Sequence, residues 1–157
     1  MEPMQISLWF VDQAEEAAQH YIAIFGGEVT TTLHNPQQED GSPGGVVSVD
    51  FIAGGQSFVA INGGEHDKPN DAVSISVLCD DQAEVDRYWE ALVADGGREV
   101  QCGWLKDKYG FSWQITPIEM SQLLADPDPD RKARAFQAMY AMKKLDVAAM
   151  RAAMDNV

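Results

Sequence analysis

The phrase DQAE occurs at Asp12 and again at Asp81, 69 residues later, and each copy opens a segment of the same design. Apolar residues follow at helical spacing: Ala14, Ala17, Ala18, Tyr21, Ile22 and Phe25 in the first copy, Val85, Tyr88, Trp89, Leu92 and Val93 in the second. Asp with Glu three positions on predicts a capping box at Asp12/Glu15 and at Asp81/Glu84. Gly26-Gly27 and Gly96-Gly97 supply the left-handed residue that ends a helix, so both helices are expected to stop there. A short strand-forming run precedes each helix, QISLWFV and SISVLCD, and further strands follow. These are EVTTTLH, VVSVDFI and SFVAIN in the first half, and EVQCGW and FSWQIT in the second, with a short extended piece expected between Gly103 and Gly110. The unit strand, helix, three strands is therefore written twice, a duplicated α+β module rather than a solenoid.

The 157 residues, 45% of them hydrophobic, suit one compact domain with modules at about 1–66 and 70–118 and a helical tail at about 119–157. No apolar run reaches the ~20 residues of a membrane span, and no basic-then-apolar leader opens the chain, so a cytoplasmic protein without membrane contact is expected. Cys79 and Cys102 are expected as reduced thiols. The net charge of −14 makes nucleic acid a poor partner. Ten acidic residues precede the first cation, Lys68, whereas from Arg131 onward six Lys or Arg face only Asp146 and Asp155. That Met-rich basic tail is expected to dock on its own body or on a second subunit.

The stretches LWFVDQAEEAAQHY, SFVAINGG, CDDQAEVDRYW, CGWLKDKYGFSWQITP and AMKKLD resemble the PhnB-like proteins of the vicinal oxygen chelate superfamily, which includes glyoxalases, extradiol dioxygenases and bleomycin-resistance proteins. The resemblance spans nearly the whole chain. It implies an α+β fold of two βαβββ modules forming a cupped mixed sheet, often in a homodimer. Many such chains carry the label 3-demethylubiquinone 3-methyltransferase. FGGEV, AGGQ and NGGE read as helix ends or hairpin turns rather than as the strand-to-helix glycine loop that would cradle an S-adenosyl donor, so that label finds little support.

Strand alternation assigns the candidate site. Ile6, Leu8 and Phe10 are expected to face the first helix, leaving Gln5, Ser7 and Trp9 on the other face. The repeat maps these to Ser74, Ser76 and Leu78, and the last strand adds Ser112, Gln114 and Thr116. Gln5, Ser7, Trp9, Ser74, Ser76, Ser112 and Gln114 are thus the expected ligand-binding residues, their neutral polar groups facing the cup that the resemblance implies.

Metal-using members of the superfamily bring His, Glu or Gln to the first strand of each module and to the closing strands. Those positions correspond here to Gln5 or Ile6, Ser74, Gln114, and Ala60 or Asn62. Amides and a hydroxyl are poor ligands for first-row ions, so no tightly held metal and no other cofactor is expected, a weak divalent ion being the alternative. His20, His34 and His66 fall on a helix, a strand end and a turn, and are expected at the surface. Cys102 has no histidine placed to activate it, and Lys106-Asp107-Lys108 reads as a solvated turn. Residues 34–45, HNPQQEDGSPGG, are expected as an exposed hairpin tip.

Two functions follow. One is a binding protein for a small oxygenated or partly aromatic molecule, suggested by the missing ligands and by Trp9, Trp104 and Trp113. The other is a metal-dependent enzyme of glyoxalase or dioxygenase type.

Overall fold

A computed structural model describes residues 4–155, and the chain within it forms two compact units that divide between Pro69 and Asn70. The first unit runs β1 (Ile6–Phe10), α1 (Ala14–Phe25), β2 (Gly27–His34), β3 (Val46–Ala53) and β4 (Gln56–Asn62). Its sheet order is β1-β4-β3-β2, with β1 parallel to β4 and the other pairs antiparallel. Period-two burial puts Leu8, Phe10, Val49, Phe51, Phe58 and Ala60 under the helix. Ala14, Ala17 and Ala18 are fully buried and let α1 approach the sheet closely, with Tyr21 stacked on Phe51 at 6.2 Å.

The second unit repeats this plan: β5 (Ser74–Cys79), α2 (Gln82–Val93), β6 (Arg98–Glu99), β7 (Trp104–Lys106) and β8 (Ser112–Pro117), in the sheet order β5-β8-β7-β6. First and fourth strands pair in parallel in both units, so the duplication read from DQAE is a duplication of topology. The fold is the α+β, twice-βαβββ fold expected, and each four-stranded sheet stays open. Three helices follow, α3 (Met120–Leu124), α4 (Pro129–Ala141) and α5 (Val147–Asp155), and all belong to the second unit.

The two DQAE copies differ in their capping. In the second, the Asp81 side chain accepts the Glu84 N–H at 2.9 Å while Glu84 accepts the Asp80 N–H at 3.0 Å, a reciprocal box displaced by one residue. In the first, Asp12 caps nothing. The Ala14 N–H is instead satisfied by Asn62 Oδ1 at 2.8 Å, and Asn62 Nδ2 donates to the Val46 carbonyl, so the end of β4 caps α1. A cap supplied from 48 residues away leaves no local pattern. The second helix also ends early, at Val93. The residues up to Gly96 form a 3-10 turn with Asp95 at φ 58°, whereas α1 does close on Gly26.

EVQCGW is not one strand. Pairing covers only Arg98–Glu99 and resumes at Trp104, because Cys102 (φ 57°) and Gly103 (φ 83°) turn the chain in the left-handed region. That turn is where the tail is fastened. Cys102 N–H donates to the Met142 carbonyl at 2.9 Å and Gly103 N–H to the Lys143 carbonyl at 2.7 Å. The Gln82 amide completes the strap, donating to the Leu145 carbonyl and accepting the Val147 N–H. Leu145 is buried over Gly103, where a β-carbon would stand 2.7 Å from its Cδ1. CGW and AMKKLD, two of the stretches that carry the family resemblance, are therefore the two halves of one clasp.

The methionines fill the tail's own core: Met120, Met150 and Met154 are buried with Ala135 and Leu145, and Met139 and Met142 pack against them. Basic residues of the tail bond within the unit, Arg131 to Asp126 and Asp155, Arg134 to the Met154 carbonyl, and Lys144 to Asp86 at 2.6 Å. His34 ends β2, and residues 35–45 form the largely exposed β2–β3 connection, closed at its base by Asn35 N–H to the Gly45 carbonyl at 2.9 Å.

Candidate functional site

Strand register assembles one polar face on the second sheet. Ser74 lies opposite Ser112, Ser112 opposite Lys106, and Lys106 opposite Arg98, so these four residues form a line across all four strands. The next line holds Ser76, Gln114 and Trp104. The alternate residues Trp113, Ile115, Leu105 and Cys79 are buried on the other face, the side of the α2 core residues Val85, Trp89 and Leu92. That helix supplies the hydrophobic contact that leaves the polar face free.

Hydrogen bonds order the face. Gln114 Nε2 donates to Ser74 Oγ at 2.7 Å, and Ser112 Oγ donates to Asp71 Oδ1 at 2.9 Å. The same Asp71 oxygen meets Lys106 Nζ at 2.6 Å. The hydrogen bond from Lys106, then that from Ser112, holds the Asp71 carboxyl below the usual carboxylate range, with Arg98 adding to the effect. A cavity of about 450 Å³ opens here, lined by Asp71, Arg98, Val100, Trp104, Lys106 and Ser112 among others. It has the size and the few convergent polar groups of a small-molecule site.

Of the residues expected from sequence, Ser74, Ser76, Ser112 and Gln114 share this face, with Ser112 itself buried. Gln5, Ser7 and Trp9 lie in the first unit, Ser7 and Trp9 on the exposed-side alternation of β1 and Gln5 just before the strand. Gln5 Nε2 donates to Ser57 Oγ at 3.1 Å, and Ser7 is exposed. Trp9 donates its indole N–H to the Gly64 carbonyl and sits edge-on to His66 at 4.8 Å. A β-carbon at Gly63 would strike the Trp9 ring at 1.9 Å, so this tryptophan is seated on its own unit's loop.

The reading of Lys106-Asp107-Lys108 as a solvated turn is overturned. Lys106 ends β7, and its side chain is only 15% exposed over the cavity. Asp107 is 3% exposed and accepts three hydrogen bonds, from the Tyr109 and Phe111 N–H groups and from the Trp113 indole at 2.8 Å. Alternation in the run Trp104-Leu105-Lys106, with Leu105 inward, was the available signal for Trp104 and Lys106. Arg98 enters through the two-residue β6 and Asp71 from the segment before β5, where no periodicity operates.

At the positions that the resemblance aligns with metal ligands, the side chains are engaged elsewhere or apolar. Gln5 is bonded to Ser57, and Ser74 and Gln114 are bonded to each other. Ala60 is buried and apolar, and both ends of the Asn62 amide are engaged at the α1 N-terminus and at Val46. Among the described residues no three His, Cys, Asp or Glu side chains gather where they could hold a metal. Burial pushes the Cys79 thiol up to about 11, which keeps it protonated and inert at neutral pH. Cys102 is half-buried, and its backbone N–H holds the clasp turn to Met142.

A family model described as 3-demethylubiquinone-9 3-methyltransferase matches residues 2–116, both βαβββ modules up to the last strand. The chain belongs to that family. Among solved structures, this family member is 28% identical to the PhnB protein of Bacillus cereus, with a TM-score of 0.62, covering 74% of this chain and 99% of that one. PA1353 of Pseudomonas aeruginosa is 22% identical with a TM-score of 0.60, over 73% of this chain and 98% of the other. The fosfomycin resistance protein FosX of Listeria monocytogenes, 16% identical with a TM-score of 0.51 over 74% of this chain and 93% of its own, shares the fold alone. No curated protein matches the sequence. The vicinal oxygen chelate fold and the PhnB-like family expected from the sequence are both established, and α3 to α5 lie beyond the matched residues.

Proposed function

We propose that this PhnB-like protein binds a small, oxygenated, partly aromatic molecule on the polar face of its second sheet, without a tightly held metal. The observation that carries this reading is the Gln114–Ser74 pair, set in register beside Trp104, which itself lines the 450 Å³ cavity. An amide and hydroxyls pair well with carbonyl and hydroxyl groups of a ligand, and an indole offers its face to an apolar body. Transmethylation has weaker support. The glycine pairs lie at the α1–β2 junction, in the β3–β4 turn and after β4, and neither mixed sheet has the doubly wound order in which a strand-to-helix loop cradles a nucleotide-like donor.

Thermal-shift screening of a small-molecule library, with and without divalent ions, tests the reading, since a ligand of the native state raises apparent stability. Gln114→Ala is expected to keep the fold and to weaken a hit by about fivefold to tenfold, the worth of one or two hydrogen bonds. Hits that bind Gln114→Ala as tightly as wild type, or stoichiometric zinc, nickel or iron in protein purified without added metal, would reject it and favour a metal-dependent enzyme.

The same reading includes a homodimer in the cytoplasm. Its support is the apolar pair Val73 and Leu78, 72% and 65% exposed before and on the edge strand β5, together with two unpaired cysteines. No helix among the described residues is long and apolar enough to cross a membrane. Light scattering at micromolar concentration is expected to give twice the 17.2 kDa chain mass, and Leu78→Lys is expected to lower it. A wild-type monomer refutes the dimer.

A further inference from the structure

We propose that the cavity beside Lys106 is a site for a small organic carboxylate, and that Asp71 occupies it as a built-in substitute until such a ligand displaces it. This rests on the reading of the polar face as a ligand site and adds the chemical class of the ligand.

The two ends of the Asp71–Lys106 pair differ in their surroundings. The Lys106 side chain is 15% exposed and held on β7 between strands, whereas the Asp71 side chain is 71% exposed on the segment leading into β5. Asp71 can swing into water with little loss. Lys106 is held on its strand, and a cation on a side chain this little exposed favours a counter-ion. Ser112, itself buried, points its hydroxyl at the same Asp71 oxygen that Lys106 meets, so one carboxylate oxygen receives a charged and a neutral donor at 2.6 and 2.9 Å. Arg98 stands next in the register line with an exposed side chain, and a guanidinium suits the second oxygen of an incoming carboxylate. Trp104 and Val100 offer an apolar wall for the remainder of the molecule. In a chain of net charge −14, two cations and a serine aligned on one sheet face form a local exception to the surrounding sign.

An intramolecular carboxylate competes with any external one, so removing it should tighten binding. An exposed partner of this kind is worth a factor of about five at most. The test uses full-length protein and two probes of matched shape, benzoate and benzyl alcohol, titrated by calorimetry and by tryptophan fluorescence. Asp71→Asn is expected to bind benzoate about fivefold more tightly than wild type, and Lys106→Gln at least tenfold more weakly than wild type. Benzyl alcohol should respond to neither change, and added salt should weaken benzoate alone. Benzoate affinity that is equal in wild type and Asp71→Asn, or absent from both, overturns the proposal. Since Asp71 is exposed, that variant folds and decides the matter even where Lys106→Gln does not. Benzyl alcohol bound in a Gln114-dependent way while benzoate fails would leave the preceding reading standing and remove only this one.

Discussion

Asp107→Ala is expected to destabilise the protein by about 4 kcal/mol, because it strands one buried and two part-buried donors at once. Oδ1 of Asp107 accepts the N–H groups of Tyr109 and Phe111, at 2.9 and 3.0 Å, and Oδ2 accepts the Trp113 indole. Backbone bonds from Asp107 N–H to Phe111 and from Gly110 N–H to Asp107 close the same turn. This carboxylate therefore sets how β7 meets β8, and with it the spacing of Lys106 and Trp104 from Ser112 and Gln114. Asp107→Asn preserves volume and turns two hydrogens toward one of the donor groups, so about half the loss is expected. Denaturant unfolding, with near-ultraviolet dichroism as a second probe of the Trp113 environment, checks both values. A change within ~1 kcal/mol for Asp107→Ala, the range of an ordinary exposed ion pair, would return Asp107 to the role of a solvated turn residue.

Breaking the clasp between the tail and the CGW turn is expected to cost nearly as much. Leu145→Ala removes a 2% exposed side chain from the core it shares with Met120, Met150 and Met154, a loss of about 3 kcal/mol. Gly103→Ala requires a left-handed residue with a β-carbon 2.7 Å from Leu145 Cδ1 and 3.0 Å from the Ile115 carbonyl, a further ~2–4 kcal/mol. The two changes touch each other, so the double variant is expected to lose less than the sum by about 1–2 kcal/mol. Unfolding midpoints of the four proteins measure this coupling. Strict additivity would show that Leu145 does not rest on Gly103. Limited proteolysis should show earlier cleavage near Met142–Asp146 in each variant, since the strap is held there by backbone bonds to Cys102 and Gly103 and by the Gln82 amide.

The tail shows how far a local pattern reaches. The helical composition after Arg131 and the surplus of cations were plain, and the packing role of the methionines followed from their chemistry. The identity of the partner was not. Gln82 looks the same in the second DQAE as Gln13 does in the first, yet Gln82 grips the backbone of Leu145 and Val147 across 63 to 65 residues. The Gln13 side chain instead accepts the N–H of its neighbour Asp12.

The duplicated βαβββ plan, the helix faces and the inward alternation of Leu8, Phe10, Trp113 and Ile115 were legible because they arise from period and propensity, which act over a few residues. Ser74, Ser76, Ser112 and Gln114 fell on one face for the same reason. Tertiary structure alone decided that Asn62 rather than Asp12 caps α1, that Asp107 is a buried acceptor, and that Arg98, Lys106 and Asp71 join Ser112 around one cavity. Each of those outcomes depends on strand register or on a side chain reaching a backbone group far away in sequence. A hydrogen bond is satisfied by whatever lies within about 3 Å, and nothing in the neighbouring letters encodes that distance.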